Sequence, residues 1–277
     1  MSALTLTLKS NPKFTLDMSP ITPDNLQKLT LEKIKKLKLR YGKEIVKVES
    51  LFTVKGNNKN NIVINKSHNQ LICVGKEMSL GTITVNGDVG DFLGQSIKNT
   101  GEITVHGNAG SWTGNGMSGG RITVNGNVLD FTGGSLPGDT FGMTDGLINI
   151  TGSAGDRVGD RMRRGIIIIQ GKSGDFCGSR IHAGTIIVLD KVGKHPGEGM
   201  RRGTVILAKK PAHISSTFKS CGNLKMQFLR LLFTQLSKID DCFQFFSKYG
   251  PEAHRFAGDI ARNGKGEILI LQTMSKR

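Results

Sequence analysis

With 38 Lys and Arg against 22 Asp and Glu in 277 residues, the chain carries a formal net charge of +16. It shows no secretory leader and no apolar run approaching the ~20 residues of a membrane span, so a cytoplasmic protein without membrane contact is expected. The charge implies anionic partners. One Trp and two Tyr leave little for base stacking, and no helix-turn-helix, zinc-finger or RNP signature occurs, so nucleic acid is not expected among them.

Residues 1–60 predict a small α/β segment. Thr22–Pro23–Asp24 reads as a helix start, Leu26, Leu29, Ile34 and Leu37 continue at helical spacing, and Gly42 closes the run. Ile45, Val46 and Val48 predict a strand. Residues 61–80 keep the phase of the next region weakly and predict a degenerate capping copy.

A unit then recurs, starting at Gly81, Gly101, Gly120, Gly146, Gly165, Gly184 and Gly203, with spacings of 20, 19, 26, 19, 19 and 19. Such a period means one structural unit stacked on itself, over residues 61–210. Ile83, Ile103, Ile122, Ile148, Ile167, Ile186 and Val205 form one column. Val85, Val105, Val124, Ile150, Ile169, Val188 and Leu207 form another, two residues on. β-Branched residues at period two predict strands with one buried face. Thr84, Thr104 and Thr123, between them, can face water, but Ile166 to Ile169 run together. In the later copies another segment or another chain should therefore cover the outer face.

Other columns carry further expectations. Met78, Ile97, Met117, Met143, Met162, Ile181 and Met200 predict core. Phe92, Trp112, Phe131, Arg157, Phe176 and His195 are mostly aromatic and predict a position near a surface. Leu129 and Asp190 replace recurrent glycines, predicting local bulges, and Ser135 to Thr140, in an insertion, predicts a protruding loop. Asp91, Asp130, Asp156 and Asp175 share one phase. Like charges stacked about 4.8 Å apart repel, which favours turn aspartates bonded to backbone over a cation site. Residues 211–277 predict a helical extension: Leu224 to Phe246 is apolar on more than one helical face, and Glu267–Leu271 reads as a returning strand.

Cys73, Cys177, Cys221 and Cys242 form no CxxC and lack histidines at ligand spacing, so reduced thiols and no metal site are expected. A nucleophile elbow, HExxH, a P-loop and a dinucleotide fingerprint are all missing, so no catalytic residue is assigned. The candidate site is a basic stripe. Arg161 shares a phase with Arg180, Arg163 with His182 and Arg201, and Arg164 with Arg202. Aligned guanidinium groups suit a polyanion or several carboxylates; a solvated corner and a contact between subunits remain open alternatives.

The pattern GxIxVxGxxGxxxGxxM resembles the GXGXG domain shared by the C subunit of formylmethanofuran dehydrogenase and the C-terminal domain of glutamate synthase. TPDNLQKLTLEKIKKLKL, GSLPGDTFGM, AGDRVGDRMRRGIIIIQG and the tail FKSCGNLKMQFLRLLFTQL are similar to the C-subunit family, closest to the member found in the bacterial formyltransferase/hydrolase complex. The resemblance implies a right-handed parallel β-helix of seven to eight coils. It implies a hetero-oligomer with an amidohydrolase-like A subunit, a formyltransferase D subunit, plus the B subunit. Their shared task would be tetrahydromethanopterin- and methanofuran-linked oxidation of formaldehyde to formate. No cofactor would be held tightly by this chain, but the glutamyl tail of methanofuran or an analogue could touch Arg161, Arg163, Arg164, Arg180, Arg201 and Arg202. A tungsten or molybdenum formylmethanofuran dehydrogenase and a glutamate-synthase-like domain are the alternatives the resemblance leaves.

Overall fold

The computed structural model describes residues 2–239 and 241–273. In chain order the elements are β1 (Ala3–Leu8), β2 (Leu16–Asp17), α1 (Pro23–Leu26), α2 (Leu31–Lys35), β3 (Lys38–Tyr41), β4 (Glu44–Lys47), α3 (Val48–Leu51), β5 (Phe52–Lys55), β6 (Asn58–Ser67) and β7 (Leu71–Ile72). The repeat region supplies β8 (Thr82–Gly87), β9 (Glu102–Val105), β10 (Ser118–Val124), β11 (Asp145–Ile150), β12 (Ile166–Ile169), β13 (Thr185–Val188) and β14 (Thr204–Leu207). Then come β15 (Lys219–Lys225), α4 (Gln227–Ile239), a 3-10 helix (Asp241–Lys248), β16 (Tyr249–Gly258) and β17 (Gly266–Thr273).

Among the described residues, thirteen strands join one largely parallel sheet in the order β15-β16-β17-β14-β13-β12-β11-β10-β9-β8-β6-β1-β5. The strands follow from the columns of the repeat. Ile83, Ile103, Ile122, Ile148, Ile167, Ile186 and Val205 stand opposite one another in successive strands. All are buried, as are the residues of the second isoleucine and valine column. A second parallel ladder joins Ala109, Val128, Ala154, Ser173 and Val192. A third runs beside the methionine column, where Thr144 N donates to Met117 O, Arg163 N to Met143 O and His182 N to Met162 O, at 2.7–2.8 Å. Each copy is thus tied to the next at three places, and Met78 through Met200 lie in the core between them.

The aspartate column adds side-chain rungs. Asp91 Oδ1 accepts from Ser111 N, Asp130 Oδ1 from Asp156 N, Asp156 Oδ1 from Asp175 N and Asp175 Oδ1 from Lys194 N, at 2.7–2.8 Å. The stacked carboxylates are therefore acceptors for the backbone of the following copy. Leu129 and Asp190 produce no bulge: Ala109, Val128 and Ala154 pair in register around the first, and around the second Val188 pairs with Ile169 and Val192 with Ser173, at equal spacing in both copies. Leu129 fits because its side chain projects outward, 57% exposed.

The flanks differ from their sequence pattern in instructive ways. The helix expected between Thr22 and Gly42 is two short helices, α1 and α2, each with its own threonine cap: Thr22 Oγ1 accepts from Asn25 N and Thr30 Oγ1 from Lys33 N. Residues Lys38–Tyr41 leave the helix to form a hairpin with β4, and Gly42, at φ +58, makes its turn. Val48 opens α3 instead of ending the strand. Strands β1 and β5 add to the edge of the large sheet, so the sheet runs through residue 60.

The helix of the C-terminal region starts at Gln227, because Leu224 belongs to the edge strand β15. Its buried face, Leu229, Phe233 and Leu236, packs with Ile168, Ile187, Ile206 and Leu269 on the outer side of the sheet. That is the cover demanded by the unbroken isoleucine run. Burial of each such side chain stabilises the fold by about 1.5–3 kcal/mol. The returning strand is β17, pairing in parallel with β14. No described helix is long and apolar enough to cross a membrane. Cys73, Cys177 and Cys221 are free thiols, and the side chain of Cys242 lies outside the described residues.

A candidate anion-binding groove

Besides the glycine columns, two columns of left-handed backbone that carry side chains run along the repeats. One holds Phe92, Trp112, Phe131, Arg157, Phe176 and His195, with φ between 56° and 63°. The rings stack: Phe92 on Trp112 at 5.4 Å, Trp112 on Phe131 at 5.3 Å, and Phe176 on His195 at 5.1 Å. Arg157 continues this column by placing its guanidinium 4.6 Å from the Phe176 centroid. The other column passes through Ser96, Gly116, Arg161, Arg180 and Gly199. Left-handed backbone costs a non-glycine residue roughly 1–2 kcal/mol. Arginine there is an outlier that draws attention to the place.

The place is a groove of about 880 Å³ lined by Arg157, Arg161, Arg180, His182, Arg201 and Arg262, with the loop tip Gly138–Thr140 on one side. Three carboxylate residues, Asp139, Glu198 and Asp259, share the lining. Asp259 Oδ2 accepts from Gly199 N and its Oδ1 from Ala261 N, both at 3.0 Å, while Glu198 faces His195 Nδ1 at 3.1 Å. A neighbouring recess of about 560 Å³ is lined by Arg201, Arg202, Ala261, Arg262, Asn263 and Lys265, with no carboxylate. The two spaces share Arg201 and Arg262 and so form one cationic path.

The arginines are held to different degrees. Arg180 is fixed: Asp160, 1% exposed, accepts from its Nε at 2.9 Å and its Nη2 at 2.5 Å, and Ser179 Oγ donates to the same carboxylate at 2.6 Å. Arg161 Nη1 donates to the Asp139 carbonyl at 2.9 Å, which ties the insertion loop over the groove. Arg163 sits 4.9 Å over the Phe141 ring, and Phe141 meets His182 edge-on at 5.0 Å. The His182 imidazole is held below its ordinary pKa, first by partial burial and then by Arg201, Arg161 and Arg163. Burial and the neighbouring guanidinium groups thus both disfavour its protonated form.

Of the six predicted arginines, Arg161, Arg180 and Arg201 line the groove and Arg202 lines the adjoining recess, while Arg163 lines neither but sits over Phe141, whose ring meets the groove's His182. Arg164 is exposed and lines neither space. Arg157 has repeat phase as its only sequence signal, which placed it among the rings. Arg262 and Lys265 come from the C-terminal return, beyond the last periodic copy, and no pattern links them to Arg201. No group of three His, Cys, Asp or Glu among the described residues is placed to hold a metal ion. Cys73 and Cys177 are both pushed up to about 11, chiefly by burial, which keeps each thiol protonated and a poor nucleophile.

Comparison with known proteins places this geometry among relatives. The GXGXG motif matches residues 33–232. The C subunit of the tungsten-containing formylmethanofuran dehydrogenase 2 of Methanococcus maripaludis is 33% identical over 96 residues, 34% of this chain and 35% of that one. The Methanothermobacter marburgensis protein of the same name is 34% identical over 99 residues, 34% of this chain and 37% of that one. The aligned part thus spans about a third of the length of these curated relatives. A chain in the crystal structure of the formyltransferase/hydrolase complex from Methylorubrum extorquens, in complex with methylofuran, superposes with a TM-score of 0.89 at 35% identity, covering 96% of this chain and 98% of that chain.

Proposed function

The chain belongs to the GXGXG family, as a protein of the formylmethanofuran dehydrogenase C-subunit type, and on that premise we propose that it is the non-catalytic scaffold of a formyltransferase/hydrolase complex. The complex would act in tetrahydromethanopterin- and methanofuran-linked oxidation of formaldehyde to formate. Its partners would be the amidohydrolase-like A subunit, the formyltransferase D subunit, plus the B subunit. The observation that carries this reading is the end-to-end likeness to one chain of that complex, flanks included. The scaffold role has local support. Asp160 and Asp259 are consumed in structural hydrogen bonds, and two thiols are held protonated, so these groups are poor acids, bases or nucleophiles. The three ladders between copies are read as a right-handed parallel β-helix of seven to eight coils, a rigid spine for neighbours.

The cationic path has a place in this reading. Arg161, Arg163, Arg180, Arg201 and Arg202, joined by Arg157 and Arg262, would hold the carboxylates of a cofactor's glutamyl tail. Arg164, outside the path, would serve contact between subunits. A tungsten-enzyme assembly is the second reading, favoured by the archaeal relatives. Purification of the native assembly with identification of its chains by mass decides. An amidohydrolase-like chain and a formyltransferase support the proposal; a tungsten or molybdenum protein supports the second reading, and a lone chain refutes both. For the groove, Arg161→Gln with Arg201→Gln should weaken turnover more for a long-tailed than for a short-tailed cofactor. Equal losses on both would remove the groove from the account.

A further inference from the structure

A different recess, sharing no lining residue with the arginine path, lies where α4, the 3-10 helix and the start of β16 meet. It encloses about 620 Å³, within the usual range of small-molecule sites. Its base is aromatic. Phe233 and Phe246 stack at 4.7 Å and 7°, and Tyr249 stands 6.4 Å from Phe233, tilted by 52°. Phe233 and Phe246 are buried while Tyr249 is half-buried, so the tyrosine ring is the face an occupant would meet first.

The rim is cationic. Lys225, Arg230 and Lys238 line it, and among the described residues no carboxylate does. These three side chains are exposed and have no hydrogen-bond or ion-pair partner among the described residues. Three cations thus stand around a recess with an aromatic base. Gln227, Gln244 and Ser247 add uncharged polar groups to the wall.

We propose that this recess is a binding site for a small planar aromatic anion, one ring system bearing a carboxylate, sulfonate or phosphate group. The ring would lie against Tyr249 above the phenylalanine pair. The acidic group would reach Arg230, with Lys225 and Lys238 completing its charge shell. Geometry and charge select together: a neutral ring leaves three cations uncompensated, and a flexible anion lacking a ring leaves the aromatic surface wet. Guanidinium is suited to planar, two-point recognition of such a group.

The test is isothermal titration of the purified full chain with 2-naphthoate, its neutral amide, and glutarate. The expected result is one site per chain for 2-naphthoate, with the amide and glutarate each at least tenfold weaker. Arg230→Gln/Lys238→Gln should weaken 2-naphthoate at least tenfold while leaving the melting temperature and circular dichroism unchanged, since both positions are exposed. In the same titration, Arg161→Gln should bind 2-naphthoate as the parent does, which separates this site from the arginine path. Equal binding of acid and amide, an affinity insensitive to the double variant, or no binding at all would each overturn the assignment. Absence of binding coupled with burial of Arg230 against another chain in the native assembly would show that the recess is a protein contact instead.

Discussion

Substitution of Gly114 by alanine, alone and with Ile148→Val, measures the stacking directly. Gly114 lies two strands before Ile148 and adopts φ +69. A Cβ built there would stand 2.4 Å from Ile148 Cδ1 and 3.5 Å from Ile122 Cδ1. The same relation recurs at Gly94 with Ile122 and at Gly133 with Ile167, at 2.4 Å and 2.5 Å. Gly114→Ala therefore combines left-handed strain of roughly 1–2 kcal/mol with overpacking of about 1–3 kcal/mol. Ile148→Val alone removes one methyl from a fully buried side chain and should cost about 0.5–1.5 kcal/mol. It also removes the atom that clashes. In the double variant the overpacking should largely vanish, so the two changes should couple by about 1–3 kcal/mol in the stabilising direction. Urea unfolding of the four proteins, monitored by circular dichroism, reads this coupling. Additivity within about 0.5 kcal/mol would mean that Ile148 does not fill the space beside Gly114, and the packing argument would fail.

Other parts of the structure make separate predictions. Arg180→Gln should destabilise by about 2 kcal/mol, since it strips buried Asp160 of two charge-assisted bonds; Arg161→Gln, which loses one bond to a carbonyl, should cost clearly less in thermal unfolding. The folded pKa of His182 lies below its ordinary value, so the unfolded chain binds the extra proton first. Stability should then fall as pH drops from about 7 through the ordinary histidine range, and His182→Gln should remove that part of the slope. Poly-glutamate bound in the groove should raise the His182 titration midpoint in NMR spectra, and an unchanged midpoint would mean that the groove is unoccupied. Leu229→Asp on α4 should uncover Ile168, Ile187 and Ile206 and increase binding of an apolar dye, with a loss of about 3–5 kcal/mol from a buried unpaired charge.

The repeat was legible because its chemistry is local and periodic. Each isoleucine column needs only a register of copies to become a sheet, and the copies supply it. The cover over Ile168 and Ile187 was legible too, since an apolar outer face demands one. The choice of α4 over a partner chain was not, because it depends on how the chain returns after Lys210. The broken helix near residue 30 followed from competition: Thr30 caps a second start, and Lys38–Tyr41 gains a hairpin that helical spacing does not foresee. At the groove, Arg161, Arg180 and Arg201 were visible as phase partners within the repeat. Arg262, Lys265 and Asp160 were not, since tertiary return and a buried ion pair leave no period in the sequence.

The central claim is that this chain holds partners in place without performing their chemistry. Mixing the purified partner chains with and without it, then recording complex mass and formyl-hydrolase activity together, tests that most directly. The account predicts dispersed partners and low turnover in its absence, restoration of both on its addition, and no activity from the chain by itself. Full-sized, fully active assemblies formed without it would contradict the account.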